Sequence, residues 1–191
     1  MYVGNIIRSI KSLRGDIFGS NYEFICNKSR SAMFAMSRNL QCIGNLPLDI
    51  TIDLFNTMIL PIITYGSEIW GINKPGTLAV DKVQLRFLRC KLGVKATTSN
   101  HIVFGECGAF PASTVCHINV LRYYHRVYNL PDSMVVKKAF NTLLALTEQG
   151  FPTWISKVWE LAQVYNVELH LTNRLTFKHT CQIQIQKHFI E

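Results

Sequence analysis

Lys82, Arg86 and Arg89 stand four and three residues apart, and Lys91 and Lys95 continue the series. On a helix this spacing lines long cations along one side, where they can follow a phosphate backbone without reading bases. The same spacing also makes the solvated face of an ordinary amphipathic helix. A second group is Tyr65, Gly66, Glu68 and Trp70. Two aromatic rings beside a carboxylate can form a platform for a sugar or a base. They can equally form a packed corner, with the Tyr hydroxyl and the Glu carboxylate bonded to backbone groups.

Other chemistry is thinly represented. Asp49 and Asp53 share a helix face, but they fall where a helix starts and acids are stabilised anyway. The six histidines include no pair four residues apart. His179, Cys181 and His188 make only a partial metal set that needs ligands from elsewhere. Cys107 has Glu106 beside it and no histidine paired with it in sequence, so it reads as a buried thiol. No phosphate loop or dinucleotide fingerprint is present. No two acidic residues are adjacent. No catalytic residue, metal site or cofactor is therefore assigned.

Charge and composition narrow the class. The chain has 191 residues and a formal net charge of +8. Residues 1–50 carry six Lys/Arg against three Asp/Glu, residues 51–100 the same, and the remainder eight against six. A basic amino-terminal half attracts polyanions with salt-dependent affinity, although charge of this size also merely solubilises. The hydrophobic fraction of 48% supports a real core, and a charged fraction of 17% is low, which hints at apolar surface meant for a missing partner. The first residues lack the apolar core of a signal peptide, so a nuclear or cytoplasmic protein with six reduced cysteines is expected. The longest apolar run, Met58 to Ile63, is too short to span a bilayer, and no membrane is expected as a partner.

The elements that must position these residues are mostly helical. Residues 2–10 are rich in β-branched side chains and suggest a short strand or hairpin. Tyr22 to Ile43 carries apolar residues at three- and four-residue steps, stopped by Gly44-Asn45 and Pro47. Asp49 and Thr51 can cap the next helix, whose apolar face is Leu54, Phe55, Met58 and Ile59. Pro61 must kink or break it. Gly66 and Gly71 suggest close backbone contact or a second break. Asn73-Lys74-Pro75-Gly76 reads as a turn before an amphipathic helix from about Thr77 to Leu92, with Val80, Val83, Phe87 and Cys90 on one face. A short helix over 99–105 and a loop to Pro111 follow. The next helix is Ala112 to Asn129, with Val115, Ile118, Leu121 and Tyr128 inward. Further helices are expected from Pro131-Asp132 to Leu146 and from Trp154 to Tyr165. The tail, 172–190, fits helix or strand. The plausible seam is near Asn129-Leu130-Pro131.

Several of these segments resemble LINE-type (non-LTR) retrotransposon reverse transcriptases. Tyr2-Val3-Gly4 resembles the family's primer-grip hairpin, and Lys28-Ser29-Arg30-Ser31-Ala32 the basic start of its next helix. Pro61 through Tyr65, Gly66, Glu68 and Trp70 resembles its Pro-x-x-x-Tyr-Gly-x-Glu-x-Trp segment just beyond the palm. Phe87–Val94 and Gly105-Glu106-Cys107-Gly108 follow in family order. The likeness spans roughly Tyr2 to Arg126 and fades beyond Asn129. It implies a remnant of the palm hairpin over 1–20, a thumb-like helical domain over 21–129 and a helical extension over 130–191. The fold class expected is mostly α, with a short N-terminal β element, a thumb-like bundle and C-terminal helices. The function implied is contact with a primer–template RNA–DNA duplex without sequence specificity. The family's Asp-Asp turn, fingers and palm are missing, so no catalytic residue carries over and the fragment is not expected to be an enzyme. Cys107 stands where the family usually has leucine and Ala109 where a basic residue is common. Met1 sits at an ordinary palm position, as in a gene model begun within a decayed element. A protein-interaction module, or a decayed copy with no present function, remains the alternative.

Overall fold

The computed structural model describes residues 18–44, 46–169 and 174–190. Among these residues every regular element is a helix and no strand occurs, so the fold is mostly α. The expected β element over residues 2–10, and the Tyr2-Val3-Gly4 likeness with it, lie outside the described residues. Contacts divide the chain into two compact units. The first takes the described residues up to Gly66 together with Asn73–Ser113, and the second takes Ser67–Ile72 together with those from Thr114 onward.

The first unit holds α1 (Gly19–Ile43), α2 (Leu48–Met58), α3 (Leu60–Ile63), α5 (Lys74–Leu92) and α6 (Asn100–Glu106). Helix α1 buries Ile25, Met33, Met36 and Leu40, one per turn or so along a single side. It packs on α5 and α3. Thr51 does not cap α2: it lies inside the helix, buried, and its hydroxyl donates to the Pro47 carbonyl at 3.0 Å. Asp49 also falls inside, in the first turn, where it complements the helix dipole and caps nothing. Of the expected apolar face, Phe55 and Ile59 are buried, while Met58 is 52% exposed. The helix breaks at Ile59, and Pro61 enters the first turn of α3, where its missing N–H costs nothing. Phe55 stacks on Phe87 of α5 at 4.5 Å between ring centroids, both fully buried. Each such side chain contributes roughly 1.5–3 kcal/mol by leaving water.

Helix α5 begins earlier than the turn signal suggests. Lys74-Pro75-Gly76 forms its first turn, because proline's fixed φ suits that position. Val80, Val83 and Phe87 are buried as expected, but Cys90 is exposed and does not join that face. Gly93 ends the helix at φ 67°, a left-handed conformation that glycine adopts without a Cβ clash.

The second unit holds α4 (Ser67–Trp70), α7 (Ala112–Tyr128), α8 (Val135–Glu148), α9 (Trp154–Val164) and α10 (Arg174–Ile190). The first two residues of α7 belong to the first unit. Helix α7 buries Cys116, Val120, Leu121, Tyr124 and Val127. Of the positions expected inward, Leu121 is buried, whereas Val115, Ile118 and Tyr128 are only half-buried. Gly71 packs against α7: a Cβ there would stand 3.1 Å from both the Cβ and the carbonyl oxygen of Cys116. Helix α9 starts with a capping box that sequence reading did not identify, Thr153 accepting from the Ser156 N–H and Ser156 Oγ accepting from the Thr153 N–H. The tail is a helix, and Phe177, Cys181 and Ile185 recur every fourth residue on its buried side. Aromatic residues dominate this core, with Tyr124 against Phe140 at 5.4 Å and His125 stacked on Phe177 at 4.2 Å.

Candidate nucleic-acid interface

Helix α5 carries four of the five cations that spacing singled out, and they do not behave alike. Lys82 and Arg86 are exposed, as is Lys95 beyond the helix end. The Arg86 guanidinium lies 6.0 Å from the ring centroid of Phe34, itself 55% exposed on α1. Lys91 is half-buried with its ammonium 5.8 Å from the Phe87 ring. Arg89 is turned inward. One of its terminal nitrogens donates to the Thr98 carbonyl at 2.8 Å and to Asn100 Oδ1 at 2.6 Å. Its Nε is buried without a hydrogen-bond partner among the described residues. Arg89 therefore ties the end of α5 to the start of α6. Of the five cations, Lys82, Arg86 and Lys95 are exposed, and Lys82 and Arg86 are one helical turn apart.

The opposite side of α5 has a structural task. Gln84 Nε2 donates to the Phe110 carbonyl at 3.0 Å, and Gln84 Oε1 accepts from the Ala112 N–H at 2.6 Å. Asp81 Oδ1 accepts from the Ser113 N–H at 2.8 Å. These two side chains satisfy the first N–H groups of α7, which has no capping side chain of its own in sequence. Burial pushes the Asp81 carboxyl up, and the Ser113 bonds partly offset this. Sequence spacing alone could not assign that role, because donor and acceptor are 32 residues apart.

The Tyr65–Trp70 group splits in burial. Trp70 is fully buried, while Tyr65 is 41% exposed and Glu68 half-buried. Gly66 between them has φ 68°. Ser67 is buried, and its hydroxyl accepts from Asn119 Nδ2 at 3.0 Å. Glu68 lines a cleft of the second unit with Arg122, Arg126 and Lys178. Sequence reading singled out none of those three cations. Arg122 and Arg126 did offer a signal, being four apart on a helix.

Two thiols and one imidazole among these residues are shifted away from their charged forms. Burial first, and Glu106 second, push the Cys107 thiol up, away from the reactive thiolate. Burial pushes Cys181 up to about 12. Burial lowers His117 to about 4, and its Nδ1 lies 2.8 Å from the Tyr165 hydroxyl. Among the described residues no three His, Cys, Asp or Glu side chains gather as metal ligands. Among the same residues no helix is long and apolar enough to cross a membrane.

No protein-family model matches the chain. No solved structure matches it. Among curated proteins it is similar to an uncharacterized protein of Caenorhabditis elegans, 21% identical over 142 residues, which is 71% of this chain and 68% of that relative.

Proposed function

We propose that the chain is the post-palm, thumb-like part of a LINE-type reverse transcriptase and contacts an RNA–DNA duplex without reading sequence. The observation that carries this reading is the ordered run of family-like segments from Lys28 to Gly108, with exposed cations beside it on α5. The helical first unit is compatible with a thumb. Lys82, Arg86 and Lys95 would touch phosphates, and Arg89 would hold α5 and α6 in place for them. Such contacts give affinity and salt dependence but no base preference. Fingers and palm would come from the parent polymerase, and this chain alone would not polymerise, since it offers no aspartate pair for two metals.

The test is charge reversal. Lys82→Glu with Arg86→Glu should weaken duplex binding and flatten its dependence on salt by about one logarithmic unit per lost phosphate contact. Unchanged affinity and slope would sink the reading. A second reading, a protein-interaction module, is favoured by the outer side of α8. There Val135 is 80% exposed and Val136, Leu143 and Leu146 are exposed beside it. Under that reading the double reversal leaves nucleic-acid binding where it was.

A further inference from the structure

The second unit contains an open cleft of about 510 Å3. That is within the roughly 300–1,000 Å3 range of small-molecule sites. Three cations meet there from two helices, Arg122 and Arg126 from α7 and Lys178 from α10. One carboxylate, Glu68 from α4, lines the same cleft. The balance is three positive charges to one negative. Arg122 and Arg126 sit one turn apart, so two planar donor forks can approach a single tetrahedral anion. The Arg126 guanidinium is stacked 5.0 Å from the Tyr123 ring centroid, which limits the rotamers it must give up on binding. The wall is firm: Asn119 is held by its bond to Ser67, and His125, 4% exposed, is stacked on the buried Phe177.

We infer that this cleft binds a nucleotide unit, with the phosphate on Arg122, Arg126 and Lys178 and a sugar hydroxyl or base amino group on Glu68. A bare phosphate would satisfy the cations and leave Glu68 repelling it. A dicarboxylate or an acidic peptide would set further negative charge against Glu68. A nucleotide carries both an anion and hydrogen-bond donors within a span this cleft can hold. The unit can be a free mononucleotide or one nucleotide of an unpaired strand. The inference stands apart from the duplex reading, because none of its residues lies on α5.

The experiment titrates the full chain with adenosine monophosphate, with inorganic phosphate and with a short single-stranded oligonucleotide, following heat release. The Lys82→Glu/Arg86→Glu background is run in parallel. Saturable binding of the mononucleotide supports a free ligand, and binding of the oligonucleotide alone supports a strand. Either should survive in that background, whatever happens to duplex binding. Arg122→Gln and Lys178→Gln, both exposed side chains, should each weaken it about tenfold or more while leaving thermal melting unchanged. Glu68→Gln should weaken the nucleotide and strengthen inorganic phosphate. No saturable binding of any ligand, binding insensitive to Arg122 and Lys178, or phosphate bound as tightly as the nucleotide would each overturn the assignment.

Discussion

Both units carry clustered cations, and they use them differently. On and just beyond α5 of the first unit the cations follow one another in sequence, and two of the five are half-buried against the protein, Arg89 bonded to the Thr98 carbonyl and Asn100, Lys91 beside the Phe87 ring. In the second unit Arg122, Arg126 and Lys178 are separated by up to 56 positions, yet they line one cleft. A run of charge in sequence describes the solvated side of a helix. A binding site needs charge that converges, and convergence comes from packing. The cores differ as well. The first unit centres on one aromatic stack among aliphatic residues, whereas the second is built on Tyr124, Phe140, Phe177 and their neighbours.

The strongest way to test that contrast is to empty each core in turn. Phe55→Ala in the first unit and Phe177→Ala in the second should each cost about 3–5 kcal/mol, read as a lower denaturant midpoint. Phe177→Ala should also abolish ligand binding in the cleft, because it removes the stacking partner of His125. A cost below about 1 kcal/mol at either site would show that its core relaxes freely.

A pH titration separates the units next. His117 belongs to the second unit, and burial lowers it from 6.5 to about 4. As pH falls, the unfolded chain takes up the proton first. The stability of this unit is therefore intact above about pH 6.5 and declines as pH drops toward 4, by up to about 3 kcal/mol. His117→Phe should flatten that decline. A wild-type curve already flat between pH 7 and 4 would mean the ring is solvated.

Within the first unit, Arg89→Ala should cost roughly 1–3 kcal/mol, because it orphans the Thr98 carbonyl and Asn100. Lys82→Ala should stay within about 0.5 kcal/mol in stability and lower duplex affinity instead. Equal stability losses would erase the distinction between a tying and an exposed cation. In the second unit Thr153→Ala should cost about 1 kcal/mol from the lost cap of α9. Thermal melting can resolve it.

Much of the helical order is legible in the chain itself. Apolar residues at three- and four-residue steps marked α1, α5 and α7, and Gly93 and Pro61 marked the stop and the break. These are local signals, written in backbone conformation and periodicity. Where local signals conflict or are absent, the reading fails. Lys74-Pro75-Gly76 reads as a turn because proline and glycine break helices in the interior, yet the same residues are tolerated in a first turn. Cys90 matched the period of α5 but met no neighbour to bury it. The tail fitted both helix and strand until Phe177, Cys181 and Ile185 found one core to share.

The sequence by itself thus determined that the chain is mostly helical and basic toward its amino-terminal half, since propensity, period and charge are properties of neighbouring residues. Tertiary structure alone decided which cations are available. It turned Arg89 inward and assigned Asp81 and Gln84 to the start of α7. It brought Glu68, Arg122, Arg126 and Lys178 to one cleft. The physical reason is distance along the chain: no local rule relates residues more than 100 positions apart, and only packing of their helices makes them neighbours.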